Sequence, residues 1–381
     1  MSQKKIIFNI TEDWFFLSHF LSRALSAKRN GFEIYVCCNE TNKKNVIESY
    51  GIKFIRLPYK RASINPLYET YILIRLIFII INVRPDLVHN VALKPIIQGS
   101  IASKLLNVNS VVNAPVGMGY IFTSNSLKAR LLKPILIFLL RIFLIAHSGK
   151  SKRSKVIFEN IDDLNYFKSL RAVDSNYACV ISGAGVEVDK TFLEKKRKNK
   201  IPKVVLIARM LKDKGIYEFF EAFQLLKNKK IKCQFVLVGD VDPSNPASIK
   251  RSTLEKWKNE KSIEWLGWID NIEKVLLKTD ILCLPSYREG LPKSLVEGAA
   301  AGLPLVSTDT VGCREVVIDG HNGFLVPIKD SKALADAIEK LIIDNSLRKS
   351  MGKKSFKMAS SKFSSSKINS LTLKVYNELC L

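Results

Sequence analysis

Two carboxylates and two cations in this chain have the types and spacing to handle a phosphorylated, hydroxyl-bearing molecule. Glu289 and Glu297 lie eight residues apart within Pro285-Ser-Tyr-Arg-Glu289-Gly290-Leu291-Pro292-Lys293-Ser294-Leu295-Val-Glu297. An apolar strand at 281–284 runs into this segment, and a helix is expected to begin near Pro292, whose missing N–H suits a first turn. The free amides of Lys293, Ser294 and Leu295 would then form an anion site, with Glu289 in front of it and Glu297 behind. Carboxylates accept hydrogen bonds from vicinal hydroxyls, so one glutamate could take a sugar and the other a ribose. A second strand end, Val204-Val-Leu-Ile-Ala-Arg209-Met-Leu-Lys-Asp-Lys214-Gly215, supplies Arg209 and Lys214. Two cations beside a helix N-terminus would neutralise a pyrophosphate without a metal. On spacing alone the plainer alternative stays open: solvated surface charges with no joint role.

The elements that must position these residues read as strands alternating with helices. In the first half, strands are expected at 5–10, 32–38, 52–57, 86–90, 110–114, 155–158 and 178–181. Helix-length segments at 15–29, 66–83, 94–106, 128–146 and 162–170 separate them. The second half restarts with strands at 202–208, 234–238, 263–266, 281–284 and 305–307. Strands separated by helix-length segments signal parallel βαβ packing. The basic stretch 193–201 has the composition of an interdomain linker. Beyond Asp344 the chain is rich in Ser and Lys, then ends in an apolar-periodic helix at 368–379. A doubly wound sheet binds its ligand at the carboxyl ends of its strands, where the strand order reverses, and two such domains would leave a cleft between them.

Taken together, these residues resemble glycosyltransferase family 4, the retaining enzymes of the GT-B fold, over nearly the whole chain. The two glutamates with seven residues between them and the Arg209/Lys214 pair carry the resemblance. Val236-Leu-Val-Gly239-Asp240 and Trp265-Leu-Gly267-Trp268 add to it, the latter resembling a loop beside the nucleobase. Val317-Ile-Asp-Gly-His-Asn-Gly-Phe-Leu-Val326 resembles the family's turn after the donor helix. The resemblance implies two Rossmann-like α/β domains facing across a cleft. An acceptor-binding, membrane-facing domain would span 1–190, a donor domain 200–360, and a C-terminal helix at 361–381 would cross back to the first. It implies that Glu297 binds ribose, that Glu289 orients the transferred sugar, and that Arg209 and Lys214 stabilise the leaving group. The sugar's anomeric configuration would be retained, with no metal and no cofactor beyond the sugar nucleotide.

A narrower similarity lies in the first half. His89-Asn90-Val-Ala-Leu-Lys94-Pro and Asn113-Ala-Pro-Val-Gly117-Met-Gly119-Tyr120 resemble enzymes that assemble bacterial O-antigen, capsule and lipid-linked oligosaccharides. That similarity implies a UDP-activated hexose or N-acetylhexosamine donor and a polyprenyl-diphosphate-linked glycan acceptor. Many family members carry a glycine pair after the first strand. This chain has Thr11-Glu-Asp13-Trp14 there, so Asp13 or Thr11 is expected to face the cleft instead. His89, at a strand's carboxyl end, is a candidate for a substrate role; His19 and His147 read as structural and His321 as solvent-facing.

The bulk numbers agree with two domains. At 381 residues the chain exceeds one ordinary core, and 47% apolar with 25% charged residues excludes wholesale disorder. Sixty basic against 35 acidic side chains give a net charge of +25, which calls for an anionic partner. Seven scattered cysteines, an odd number with no C-x-x-C, fit a reducing compartment. No signal peptide and no uncharged membrane-length run is read. Between Asp86 and Glu159 there are ten Lys or Arg and no acid, so the apolar helix within it, 134–146, could lie on anionic headgroups. The alternative is a helix buried on its sheet, the role expected of 71–83. The expected location is cytoplasmic, peripheral on the inner face of the cytoplasmic membrane. A sugar-nucleotide epimerase or phosphorylase would keep the fold but change the reaction. A dinucleotide oxidoreductase lacks its third glycine, and a nucleic-acid-binding protein lacks stacking aromatics or a recognition module, so no nucleic-acid partner is expected.

Overall fold

A computed structural model of the protein describes residues 3–61, 63–117, 122, 127–145, 153–191, 199–243 and 245–380. The chain divides into two compact units: Met1–Ala184 with Ser366–Leu381, and Gly185–Ser365. Each is built on one sheet of parallel strands.

The first unit's sheet runs β3-β2-β1-β4-β5-β6-β7, with β1 Lys5–Glu12, β2 Glu33–Asn39, β3 Lys53–Arg56, β4 Leu87–Val91, β5 Ser110–Ala114, β6 Arg153–Phe158 and β7 Ala178–Val180. Helices cover both faces, so its strands are near-continuously apolar rather than alternating. Along β1 the period of two still sorts the side chains. Ile6, Phe8 and Ile10 pack with Phe16, Phe20 and Ala24, and with Ile368, Val375 and Tyr376 of the C-terminal helix Ser365–Cys380. Ile7 points the other way, to Ile72, Leu76 and Ile80 of the helix Pro66–Val83.

The second unit's sheet runs β10-β9-β8-β11-β12-β13, with β8 Lys203–Ile207, β9 Gln234–Val238, β10 Glu264–Trp265, β11 Ile281–Leu284, β12 Leu305–Thr308 and β13 Gly323–Val326. The order reverses between β8 and β11. Loops leaving these two strands therefore meet at the carboxyl edge, where an open α/β sheet takes its ligand.

Several expectations need correction. The segment at 15–29 is two helices, Asp13–His19 and Leu21–Arg29, because Phe20 leaves helical backbone (φ −123°) as its ring packs on Phe8 and Phe15. The 317–326 turn ends in a strand, β13, hydrogen-bonded to β12. The Ser/Lys-rich stretch after Asp344 is a helix, Asn345–Met358, capped by the Asp344 carboxylate on the Leu347 amide at 2.8 Å. The passage between units lies at 184/185, ahead of the basic 193–201 stretch, most of which falls outside the described residues. Val186 already belongs to the second unit: its N–H donates to Phe363 O and its carbonyl accepts from Ser365 N–H, both at 2.9 Å.

The helix Pro66–Val83 is not simply a core helix. Among the described residues it alone is long and apolar enough to cross a membrane by length and composition. It buries Ile72, Leu76, Ile80 and Val83, but exposes Leu67, Tyr71, Ile74, Phe78 and Ile81.

Candidate functional site

The carboxyl edge of the second unit's sheet gathers the loops after β8, β9, β10 and β11. The loop after β8 carries Arg209 and Lys214 and is drawn against the loop after β11. Tyr287 N–H donates to Asp213 O at 2.8 Å, and the Ser286 hydroxyl to the same oxygen at 3.1 Å. Gly215 makes this approach possible. Its φ is +71°, and a Cβ there would lie 2.1 Å from Pro285 O. The Tyr287 hydroxyl anchors the far side on Glu218 at 2.5 Å.

Lys214 Nζ meets Glu289 Oε1 at 2.5 Å, both side chains being largely buried. Glu289 is also held through its backbone, its N–H donating to Val311 O at 3.2 Å. The helix Lys293–Ala300 follows, with Pro292 as its N-cap rather than inside its first turn, and with no side-chain cap on its first amides. Lys293, Ser294 and Leu295 thus open the helix with N–H groups pointing back along its axis, the positive end of its dipole. Gly290 and Leu291 lead into that turn. Glu297, one turn on, lies 3.3 Å from Lys293. Burial raises its carboxyl above the ordinary value, and the Lys293 charge pulls the other way.

Arg209 is engaged as well. Its Nη1 lies 2.7 Å from Asp242 Oδ2, in the loop after β9. Asp242 did not stand out in the sequence, where its only signal is adjacency to the Gly239 turn. Gly239 has φ +128°, and a Cβ there would sit 1.9 Å from Ala208 O. It links the next loop too: Gly239 N–H donates to Gly267 O at 2.8 Å, and the Trp265 indole N–H to Gly239 O at 2.9 Å. Trp268 follows, a residue 65% exposed at this edge. Among the described residues no three His, Cys, Asp or Glu gather where they could hold a metal ion.

The first unit corrects four assignments. His89 is fully buried, its Nδ1 2.6 Å from the Tyr376 hydroxyl and its ring packed among Phe8 and Phe20. Burial, with the Arg23 charge adding to it, lowers its pKa to about 3, so it is neutral and sealed from any substrate. Asn90 faces the opposite side of β4 and is equally buried. It links Asn9 (2.9 Å) to Asn113 (3.0 Å) in a hydrogen-bonded row across β1, β4 and β5. Asp13 is consumed by the loop after β2, accepting from Thr41 N–H at 2.6 Å and Lys43 N–H at 3.1 Å. Lys94 spends its three N–H donors on Lys60 O, Ser63 O and Glu69, at 2.7, 2.9 and 2.8 Å. Thr11, part-exposed at the end of β1, and Gly117, with φ +69° after β5, stay at the carboxyl edge. Gly119, Tyr120 and His147 lie outside the described residues.

The comparisons with known proteins follow the two units. Residues 187–358 match the family model described as glycosyl transferases group 1, and residues 5–148 the model described as glycosyl transferase 4-like. The N,N'-diacetylbacillosaminyl-diphospho-undecaprenol alpha-1,3-N-acetylgalactosaminyltransferase of Campylobacter jejuni is 29% identical over 334 residues, 84% of this chain and 85% of that protein. The UDP-Gal:alpha-D-GlcNAc-diphosphoundecaprenol alpha-1,3-galactosyltransferase of Escherichia coli is 25% identical over 327 residues, 83% of this chain and 81% of that one. The crystal structure of Anabaena HepE in complex with UDP superposes with a TM-score of 0.76 at 18% identity, covering 98% of this chain and all of the other. That likeness establishes the fold.

Proposed function

This chain belongs to the GT-B glycosyltransferases of family 4, and from that premise we propose that it moves a hexose or N-acetylhexosamine from a UDP-sugar to a polyprenyl-diphosphate-linked glycan in bacterial surface polysaccharide synthesis. The observation that carries the reading is the meeting of Lys214 with Glu289 at the switch point of the donor unit, beside the uncapped start of the Lys293–Ala300 helix. The diphosphate would lie against the first-turn amides, with Arg209 and Lys214 supplying the positive charge that a metal supplies elsewhere. Charge-assisted hydrogen bonds of this kind contribute about 1.5–3 kcal/mol each. Glu297 would accept from the ribose hydroxyls, and Trp268 offers a ring to the base. Glu289, fixed by Lys214 and by Val311 O, would orient the sugar. As the bond from the anomeric carbon to the diphosphate breaks, the electron pair leaves with the UDP oxygen, where the cations meet the developing charge. The acceptor oxygen then bonds to that carbon with its configuration retained, its hydroxyl proton passing to the departing diphosphate oxygen. The two undecaprenyl-diphosphate-dependent relatives support the acceptor class.

The same reading places the chain on the inner face of the cytoplasmic membrane. The helix Leu127–Ile145 exposes Leu131, Ile135, Phe138 and Ile142, while Leu140 and Leu144 pack inward. The helix Pro66–Val83 exposes a stripe of matching spacing, and both pack against the helix Leu93–Leu105. Two apolar stripes on a unit of strongly basic sequence suit an anionic lipid surface, each basic residue adding about 1 kcal/mol. The function is tested by incubating the chain with a panel of radiolabelled UDP- and GDP-sugars and membrane lipid extract. Label from a UDP-sugar should appear in a diphosphate-linked lipid; label from none of them, or release of free sugar alone, would refute the proposal.

A further inference from the structure

The loop after β9 clasps the very segment that carries Arg209. Met210 N–H donates to Asp240 O at 3.0 Å, Ile249 N–H to Met210 O at 2.9 Å and Lys212 N–H to Ala247 O at 2.9 Å. Leu211 and Ser248 form an antiparallel bridge between these bonds. Inside the loop, Asp242 is fixed on both sides of its backbone: its N–H donates to the Ser248 hydroxyl at 3.0 Å, and its carbonyl accepts from Asn245 N–H at 2.8 Å. The Asp242 carboxylate is thus a fixed pole, 13% exposed, whereas the Arg209 side chain it holds is 40% exposed.

The contact engages Nη1 of the guanidinium, a planar fork with five N–H donors. One corner is held and donors remain for an incoming anion. We propose that Asp242 is a positioning residue that holds the Arg209 fork in place for the donor diphosphate. The inference rests on the donor site described under Proposed function and deepens it. An unheld arginine would surrender rotamer freedom each time it closed on a diphosphate; a held one has surrendered it already in folding. The carboxylate's own charge is offset by the guanidinium it holds, so the pair still presents hydrogen-bond donors to an anion.

A double-mutant cycle read by UDP binding calorimetry tests this. Asp242→Ala should raise the Kd for UDP about tenfold, and Asp242→Asn, which keeps an acceptor oxygen at the same place, less than threefold. In an Arg209→Ala background, Asp242→Ala should change the Kd less than twofold, because there is no fork left to hold. Binding by Asp242→Ala as tight as or tighter than that of the wild type would overturn the inference, making Asp242 a bystander or a competitor of the donor. So would an equal loss in both backgrounds, which marks a general structural role. Should the alanine variant fail to fold, Asp242→Ser, which also removes the carboxylate, is read by the same criteria. A wild-type chain that does not bind UDP overturns the donor-site premise and the inference with it. A wild type that binds while the cycle shows no coupling overturns the inference alone.

Discussion

Lys214 and Glu289 approach each other from two strands that leave the switch point of one sheet, and their charged ends meet at 2.5 Å. The pair ties a cation suited to a diphosphate to a carboxylate suited to a sugar. Glu289→Gln should therefore act on turnover rather than on nucleotide affinity. We expect the transfer rate to fall roughly 10²–10³-fold, the cost of losing an oriented charge in a transition state, with UDP affinity changed by less than about threefold. Steady-state transfer and calorimetry on the same variant separate the two effects.

Glu297 should show the opposite division. Its place is behind the helix start, and the resemblance assigns it the ribose. Glu297→Ala should weaken UDP binding about tenfold, whereas 2′-deoxy-UDP, which lacks one ribose donor, should bind wild type and variant more alike. Competition binding with both nucleotides measures this, and an equal loss for the two would remove the ribose contact from the scheme.

Gly239 offers a test of how the edge is built. Alanine there would place a methyl 1.9 Å from Ala208 O at a φ of +128°. The backbone must shift, costing about 2 kcal/mol or more, and the loop that carries Asp242 shifts with it. Thermal unfolding should show the loss. A Tm unchanged to within a degree would mean the turn tolerates a side chain.

The fold was legible where the signal is local. A strand, a glycine or proline turn and a helix start are written within some fifteen consecutive residues, so the run from Ile281 to Ala300 could be read directly, with Pro292 shifted by one position. His89, Asn90, Asp13 and Lys94 were not legible as interior or structural groups. Whether a side chain at a strand's end is open depends on what covers it, and His89 is covered by Tyr376, 287 residues away. Asp13 looks like a free acid until the loop at 41–43 closes on it. Asp242 escaped notice for the same reason: its partner, Arg209, follows the neighbouring strand β8, 33 residues away.

Buried His89 has a consequence for pH. Its folded pKa of about 3 lies below the ordinary 6.5, so below 6.5 the unfolded chain takes up a proton that the folded chain refuses. The stability it contributes is fully present above pH 6.5 and is lost as pH falls from there towards 3, by about 1.4 kcal/mol per pH unit. Urea unfolding at pH 7.5 and 5.0 should show this loss in the wild type. His89→Phe should have a slope shallower by one proton, and equal slopes in the two proteins would contradict the burial.

The exposed stripes predict a membrane response. Phe78→Asp and Phe138→Asp each place a charge on an outward face, so neither should lower Tm appreciably. Each should weaken sedimentation with anionic liposomes at low ionic strength, and the pair together more than either alone. Salt should release the wild type, and indifference of binding to both substitutions would move the lipid contact elsewhere.

The most direct test of the central claim is a crystal structure of the chain with UDP bound. The diphosphate oxygens should lie within hydrogen-bond reach of Arg209, Lys214 and the amides of residues 293–295, with the ribose diol on Glu297. UDP bound at another edge of the fold, or a diphosphate that leaves both cations untouched, would contradict it.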